Sequence, residues 1–448
     1  MAILYKSDGE VVKTDPFKLI YSTHPNNENV DANDKKSSAL VAVRFHKESN
    51  KLPYVQGMIY LNVYSEKFYY SEDGINMNYL FTWDASLAYN SSFEPYDYAC
   101  YLLDNGDVVF VYRQDTFRHS SVYRCPAIIY KKSESYVGKK ITFSEKMYPV
   151  AGVQNCAFEY DYTDNSFYIA EYVRASMSDV MNIWKVTSPY DTESNWNIVL
   201  QVNRSNPGEE INLKHFHAVE LDTYSGNLYA WTGDDGDYCY LYQSTDHGAN
   251  WSLVKQGPEK HMRVLNMLFL EDAIYWGTDG GKLDCHYLIK AARNANGTIN
   301  TSSFEELYKF NNHYYNGSLV RYSTYSTCLI VNPYGLLFLN KFDLATTEDM
   351  PMYFYSLDEQ EMYQVDTIDK LGSSANIYGF RNDAVTFYPM QTNNNSVICG
   401  FTSYPNNLGV LHNDFSAVDN TAGVGAATGT TVTSNKEKVN NLVITVKQ

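Results

Sequence analysis

Short alternating strands, a repeating four-strand rhythm and an almost complete lack of helical periodicity predict an all-β chain. The fold they point to is a six- or seven-bladed β-propeller of four-stranded antiparallel blades with a C-terminal extended tail. The strands come first. Runs of alternating apolar residues bounded by Asp, Asn, Gly and Ser recur along all 448 residues. Examples are 107–113 (DVVFVYR), 166–172 (SFYIAEY), 227–233 (NLYAWTG), 273–279 (AIYWGTD) and 335–342 (GLLFLNKF). Apolar residues on alternate positions line one face of a strand, which then seeks a second sheet to cover it.

The repeat comes second. Residues 156–170 (CAFEYDYTDNSFYIA) superimpose on 217–231 (HAVELDTYSGNLYAW). Ala157 falls on Ala218, Glu159 on Glu220, Asp161 on Asp222 and Tyr168 on Tyr229. Both read strand, tight turn, strand, with the Asp opening the turn by accepting backbone N–H groups. The ends agree as well, 194–202 (SNWNIVLQV) with 249–257 (ANWSLVKQG). Looser copies stand at 104–106, 270–272 and 332–335. A unit this small cannot bury both its faces, so units stack around an axis. Five blades are expected between 98 and 370, one at 40–83 and a last at 378–414, within a propeller spanning 1–416. Residues 417–438 are Gly/Ala/Thr-rich and read as a linker. The strand-like 439–448 then either closes the ring or docks on a neighbouring subunit.

Composition narrows the function. Acidic residues outnumber basic ones 52 to 35, a formal net charge of -17, and no basic stripe offsets this, which argues against nucleic acid. Mean hydropathy is -0.40, and no apolar run reaches the length of a membrane span. The N-terminus lacks a signal-peptide pattern, which predicts a cytoplasmic protein, or a virion component if phage-encoded. The 7 Cys are scattered without a CxxC, so buried free thiols are expected rather than a zinc or disulfide framework. The 41 Tyr suit half-wet strand faces and sugar- or protein-binding surfaces.

One local motif is specific. Ser244, Asp246, Gly248 and Trp251 stand at S-x-D-x-G-x-x-W spacing in 240–256 (YLYQSTDHGANWSLVKQ), between two apolar runs. Asp246 is expected to accept turn N–H groups, Gly248 to relieve a strained backbone position and Trp251 to plug the gap between sheets. The stretch resembles the Asp-box (BNR) repeat of sialidase-like β-propellers. Residues 68–77 (FYYSEDGINM) resemble a decayed copy keeping Ser71 and Asp73, and 215–235 resembles the opening of such repeats. The resemblance implies a turn that specifies fold and lies away from any substrate.

Chemistry is expected on the face carrying the 2–3 loops and the blade-to-blade connections, at 112–121, 171–181, 203–214, 232–238 and 256–263. Arg113, Arg174 and Arg263 sit there. His215 and His217, two apart on an innermost strand, share one side of it, as hydrogen-bonded channel histidines or, given a third ligand, as a metal pair. Asp234, Asp235 and Asp237 form an acidic knot whose oxygens suit Ca²⁺, although such a composition is more often simply a turn. No other cofactor is expected. The sialidase-type mechanism implied by the resemblance needs three Arg on a carboxylate, a Tyr–Glu nucleophile pair and an Asp acid/base. The chain has 10 Arg and no Arg-Ile-Pro signature; 43–49 (VRFHKES) and 123–128 (YRCPAI) are poor substitutes. The reading is a non-enzymatic structural or adhesion propeller, a phage tail or head appendage. Its partners would be other virion subunits met through 417–448 and a protein or a cell-surface glycan. The alternatives are a glycan hydrolase or depolymerase acting through the loop face, and a glycan-binding propeller of bacterial origin.

Overall fold

The computed structural model describes residues 54–62, 65–72, 77–88, 98–112, 127–141, 143, 157–172, 180–203, 215–233, 239–278 and 287–309. Outside that range it describes the strands at 3–6, 11–14, 17–22, 38–46, 313–315, 318–320, 322–323, 329–331, 335–339, 341–342, 350–357, 360–368, 390–391, 396–400 and 441–446. The chain divides into two compact units, one of residues 47–51 and 83–310, the other of 1–46, 52–82 and 311–448.

The first unit holds four consecutive four-stranded antiparallel meanders, here called the first to fourth blades. The first blade is Tyr98–Leu102, Val108–Tyr112, Ala127–Lys131 and Val137–Ile141. The second is Phe158–Asp161, Ser166–Ala170, Val180–Thr187 and Trp196–Asn203. His215–Leu221, Leu228–Gly233, Cys239–Ser244 and Ser252–Gly257 make the third. Val264–Phe269, Ala273–Thr278, Tyr287–Ala292 and Glu305–Lys309 make the fourth. The first strands of the second, third and fourth blades lie side by side, so the first strand of each of these three is innermost. Four-stranded meanders fanned around adjacent innermost strands are the arrangement of a β-propeller.

Burial follows from this stacking. The middle strands Ser166–Ala170, Leu228–Gly233 and Ala273–Thr278 are buried at every position, since both their faces are covered. The outer strands Trp196–Asn203 and Ser252–Gly257 are mostly wet. Three apolar layers fill the gaps between blades. Tyr101, Val109 and Ile129 pack on Phe167, Ile169 and Trp184 between the first and second. Tyr168, Ile183 and Met181 pack on Phe216, Val219 and Ala230 between the second and third. Trp231, Leu241 and Ala218 pack on Trp276, Ile289 and Met267 between the third and fourth. The Trp231 and Trp276 rings are 5.5 Å apart. Cys100 and Cys239 are buried and form no disulfide; the other five cysteines lie outside the described side chains.

In the other unit Ser38–His46, Tyr54–Asn62, Lys67–Ser71 and Asn78–Thr82 form another antiparallel meander, over the stretch where the sequence predicts a blade. Leu329–Val331, Gly335–Leu339, Met350–Ser356 and Glu361–Ile368 form a sheet whose edge is extended by Ile3–Lys6 and Val11–Thr14. Asn441–Val446 lies between Phe17–Ser22 and Ser396–Gly400, antiparallel to both. The tail strand thus has both edges paired within its own chain, while 417–438 lies outside the described residues.

Candidate functional site

Two clusters stand out, one on each face of the blades. The first surrounds the S-x-D-x-G-x-x-W turn, which connects the third and fourth strands of the third blade, as the sequence predicts. Asp246 Oδ1 accepts from Asn250 N at 2.8 Å and from Ser244 Oγ at 2.8 Å, and Ser244 Oγ accepts from Gly248 N at 2.9 Å. The bonds from Asn250 hold the Asp246 carboxyl below the usual carboxylate range. His247 and Gly248 both adopt left-handed backbone, φ 55° and 79°. Trp251 packs half-buried against the layer between the second and third blades.

The second blade docks onto this turn. Tyr168 OH donates to His247 O at 2.5 Å, Lys185 Nζ donates to the same oxygen at 2.8 Å, and Asp161 Oδ2 lies 2.6 Å from His247 Nδ1. The positions that the sequence repeat aligns make the same kind of join one blade further on. Arg293, on the third-to-fourth-strand connection of the fourth blade, forks both its terminal nitrogens onto Asp222. Tyr229 OH accepts from Ile299 N at 3.0 Å, and burial pushes its pKa up to about 12. The repeated Glu completes the set. Glu159 Oε2 accepts from Leu221 N at 3.0 Å, and Glu220 Oε2 accepts from Met267 N at 2.7 Å. Each carboxylate thus reaches the innermost strand of the next blade. Sequence reasoning found these repeats but not their partners, which lie 47 to 86 residues away.

Asp161, Asp164 and His247 bring three metal-competent atoms within 4.8 Å. Lys185 Nζ sits 2.5 Å from Asp164, however, so the chain itself supplies a cation there. Burial pushes the Asp164 carboxyl up, and the Lys185 and Ser166 bonds outweigh it and hold the group below the usual range.

The second cluster lies at the opposite ends of the innermost strands, on the predicted loop face. His215 and His217 are both buried. Phe216 pairs with Thr232 and Ala218 with Trp231, which leaves His217 as the extra residue of a β-bulge. The bulge turns His217 to the same side as Ala218, toward the fourth blade, where His217 Nδ1 meets Val264 O at 2.9 Å. A carbonyl only accepts, so Nδ1 carries a proton, and in the neutral imidazole Nε2 is then the acceptor. That Nε2 lies 3.1 Å from His215 Nε2. No Cβ fits at Gly233, because it would overlap the His217 ring. Tyr172 stacks on His215 with ring centroids 3.6 Å apart. Beside it Glu171 is buried, accepting from Asn182 N at 2.9 Å, Asn182 Nδ2 at 2.8 Å and Trp184 Nε1 at 2.6 Å. The histidine pair was legible from i, i+2 spacing. Glu171, Tyr172 and the Val264 carbonyl carry no local signal.

Among the other candidates, Arg263 is half-buried just before the innermost strand of the fourth blade. Arg113, Arg174, Asp234, Asp235 and Asp237 lie outside the described residues, as does Asp73 of the decayed motif. Ser71 is buried at the end of its strand.

The class is therefore a β-propeller of four-stranded antiparallel blades. No family model and no curated protein matches the chain. Among solved structures it is similar to the GH74 xyloglucanase of Xanthomonas campestris, at 13% identity and TM-score 0.49, covering 87% of this chain and 53% of that one. The chain thus spans about half the length of that enzyme. It is similar also to the WD40 repeats of RRP9, at 8% identity and TM-score 0.47, covering 99% of both chains. The periplasmic gluconolactonase of Pseudomonas aeruginosa follows at 11% and 0.46, covering 83% of this chain and 93% of that one. Likeness at this level extends to enzymes and to a repeat domain alike, and it assigns no activity. No helix among the described residues is long and apolar enough to cross a membrane.

Proposed function

We propose that the chain is a non-catalytic binding propeller of the sialidase-like Asp-box kind, an assembly or adhesion component of a phage virion. It meets a surface glycan or a protein through the loop face around Tyr172 and His215. The observation that carries this reading is the use made of five buried or half-buried carboxylates. Asp161, Asp222, Glu159 and Glu220 are all bonded across blade junctions, and Glu171 is bonded by three neutral donors within its own blade. A two-carboxylate glycosidase needs a facing pair about 5–10 Å apart with substrate between them. These groups are instead bound to structural partners, several of them backbone amides. Tyr172, half-buried and backed by the buried His215 ring, offers the loop face an aromatic surface of the sort that receives sugars. The Tyr- and Asn-rich usage and the Gly/Ala/Thr-rich 417–438 support the virion placement, with 417–438 as the contact for neighbouring subunits, since the strand that follows is paired at both edges within its own chain.

The test is a panel of sialylated, neutral and acidic polysaccharides, read for binding and for reducing ends released. Binding without release, weakened at least tenfold by Tyr172→Ala, is expected. Release of reducing ends that Glu171→Gln abolishes would establish the hydrolase reading instead.

A further inference from the structure

We infer that His215 and His217 form a binding site for a first-row divalent transition cation, Zn²⁺ being the simplest occupant. Three observations converge on it. The first is spacing. Two imidazole nitrogens each about 2.0–2.1 Å from one ion stand roughly 2.9 Å apart at a right angle and roughly 3.3 Å apart at the tetrahedral angle. The two Nε2 atoms are 3.1 Å apart, between those limits. The rings also converge rather than meet head-on. Their centroids are 5.0 Å apart with planes inclined by 26°, closer than the roughly 5.4 Å that two imidazoles aimed straight at each other across that gap require.

The second observation is the orienting bond. His217 Nδ1–H donates to Val264 O, so the neutral ring directs Nε2 toward His215 as its ligand atom. Metal-bound histidines are held by this kind of outer bond. The third is that the backbone is shaped for the pair. The bulge at His217 re-aims that one side chain, Gly233 leaves room for its ring, and Tyr172 stacks on the other ring. A bulge recurs at the equivalent place in the fourth blade, between Val264 and Met267. Imidazole ligands favour Zn²⁺, Cu²⁺ or Ni²⁺ over Ca²⁺, and two protein ligands leave positions for water or for an oxygen of a bound partner.

This inference stands apart from the binding reading above, since a cation held here serves a binder and an enzyme equally. The test uses the full chain stripped with chelator and titrated with zinc chloride by calorimetry, with bound metal counted by plasma mass spectrometry. About one equivalent is expected, with affinity lowered at least tenfold in His215→Ala and His217→Ala but unchanged in His247→Ala. Circular dichroism establishes that each variant folds. X-ray absorption of the zinc-loaded wild-type chain, which needs no variant, is expected to show two imidazole shells. Absence of stoichiometric zinc, equal binding by the two variants, or a shell of oxygen alone would overturn the site and leave the pair as a shared proton.

Discussion

At the scale of single residues, the acidic side chains of this strongly anionic protein divide by what they touch. Asp191 lies 2.7 Å from Lys131 and 2.9 Å from Lys139; burial raises its carboxyl, and these two ammonium groups outweigh that and hold it below the ordinary range. Asp164 is lowered on balance too, and Glu306 is lowered by Lys260 and His261. A carboxyl whose folded value is depressed stabilises the fold above its unfolded value, near pH 4, and loses that contribution as pH falls through the folded one. Stability is therefore expected to fall as pH drops below about 4, and Asp191→Asn should flatten part of that loss. Urea midpoints measured from pH 6 down to pH 2.5 check it; an unchanged slope in the variant would remove Asp191 from the account.

At the scale of elements, the Ser244–Trp251 turn shows how a motif for folding works. Its hydroxyl and carboxylate close the turn, and its left-handed residues present His247 O and Nδ1 to the preceding blade. Gly248 has φ 79°, and a Cβ there would come within 2.8 Å of Tyr168 Cε1. Gly248→Ala should cost about 1–2 kcal/mol and loosen the join between the second and third blades, visible as faster amide exchange at Leu221. Much of this level was legible in the sequence. Period-two alternation gave the strands, and the aligned Ala157/Ala218, Glu159/Glu220, Asp161/Asp222 and Tyr168/Tyr229 gave the blades. The bulge at His217 was hidden, because both faces of this innermost strand are buried and no polar–apolar alternation marks the shift of phase. The contacts of Glu171 were hidden too, since they depend on which side chains the third strand brings beside it. The loop face was placed by topology, but its Arg113, Arg174 and Asp234–Asp235 fall outside the described residues.

At the scale of the molecule, the chain's two ends meet in one sheet, with Asn441–Val446 between Phe17–Ser22 and Ser396–Gly400. A chain ending at residue 438 would leave both of those strands with open edges, so it should lose cooperative melting of that unit and aggregate. Light-scattering mass and calorimetry of the two chains check this, and a shortened chain that stays folded and monomeric would contradict it.

The central claim is that the repeated carboxylates join blades rather than perform chemistry. Asp222 and Arg293 test it best, with 0% and 8% of their side chains exposed. Removing one partner of a buried pair typically costs about 3–5 kcal/mol. The decisive measurement is urea unfolding of Asp222→Asn beside the wild-type chain. A loss of at least about 2 kcal/mol is predicted, even after the retained amide's own hydrogen bonds are allowed for. A variant as stable as wild type would mean that Asp222 is not spent on holding the blades together.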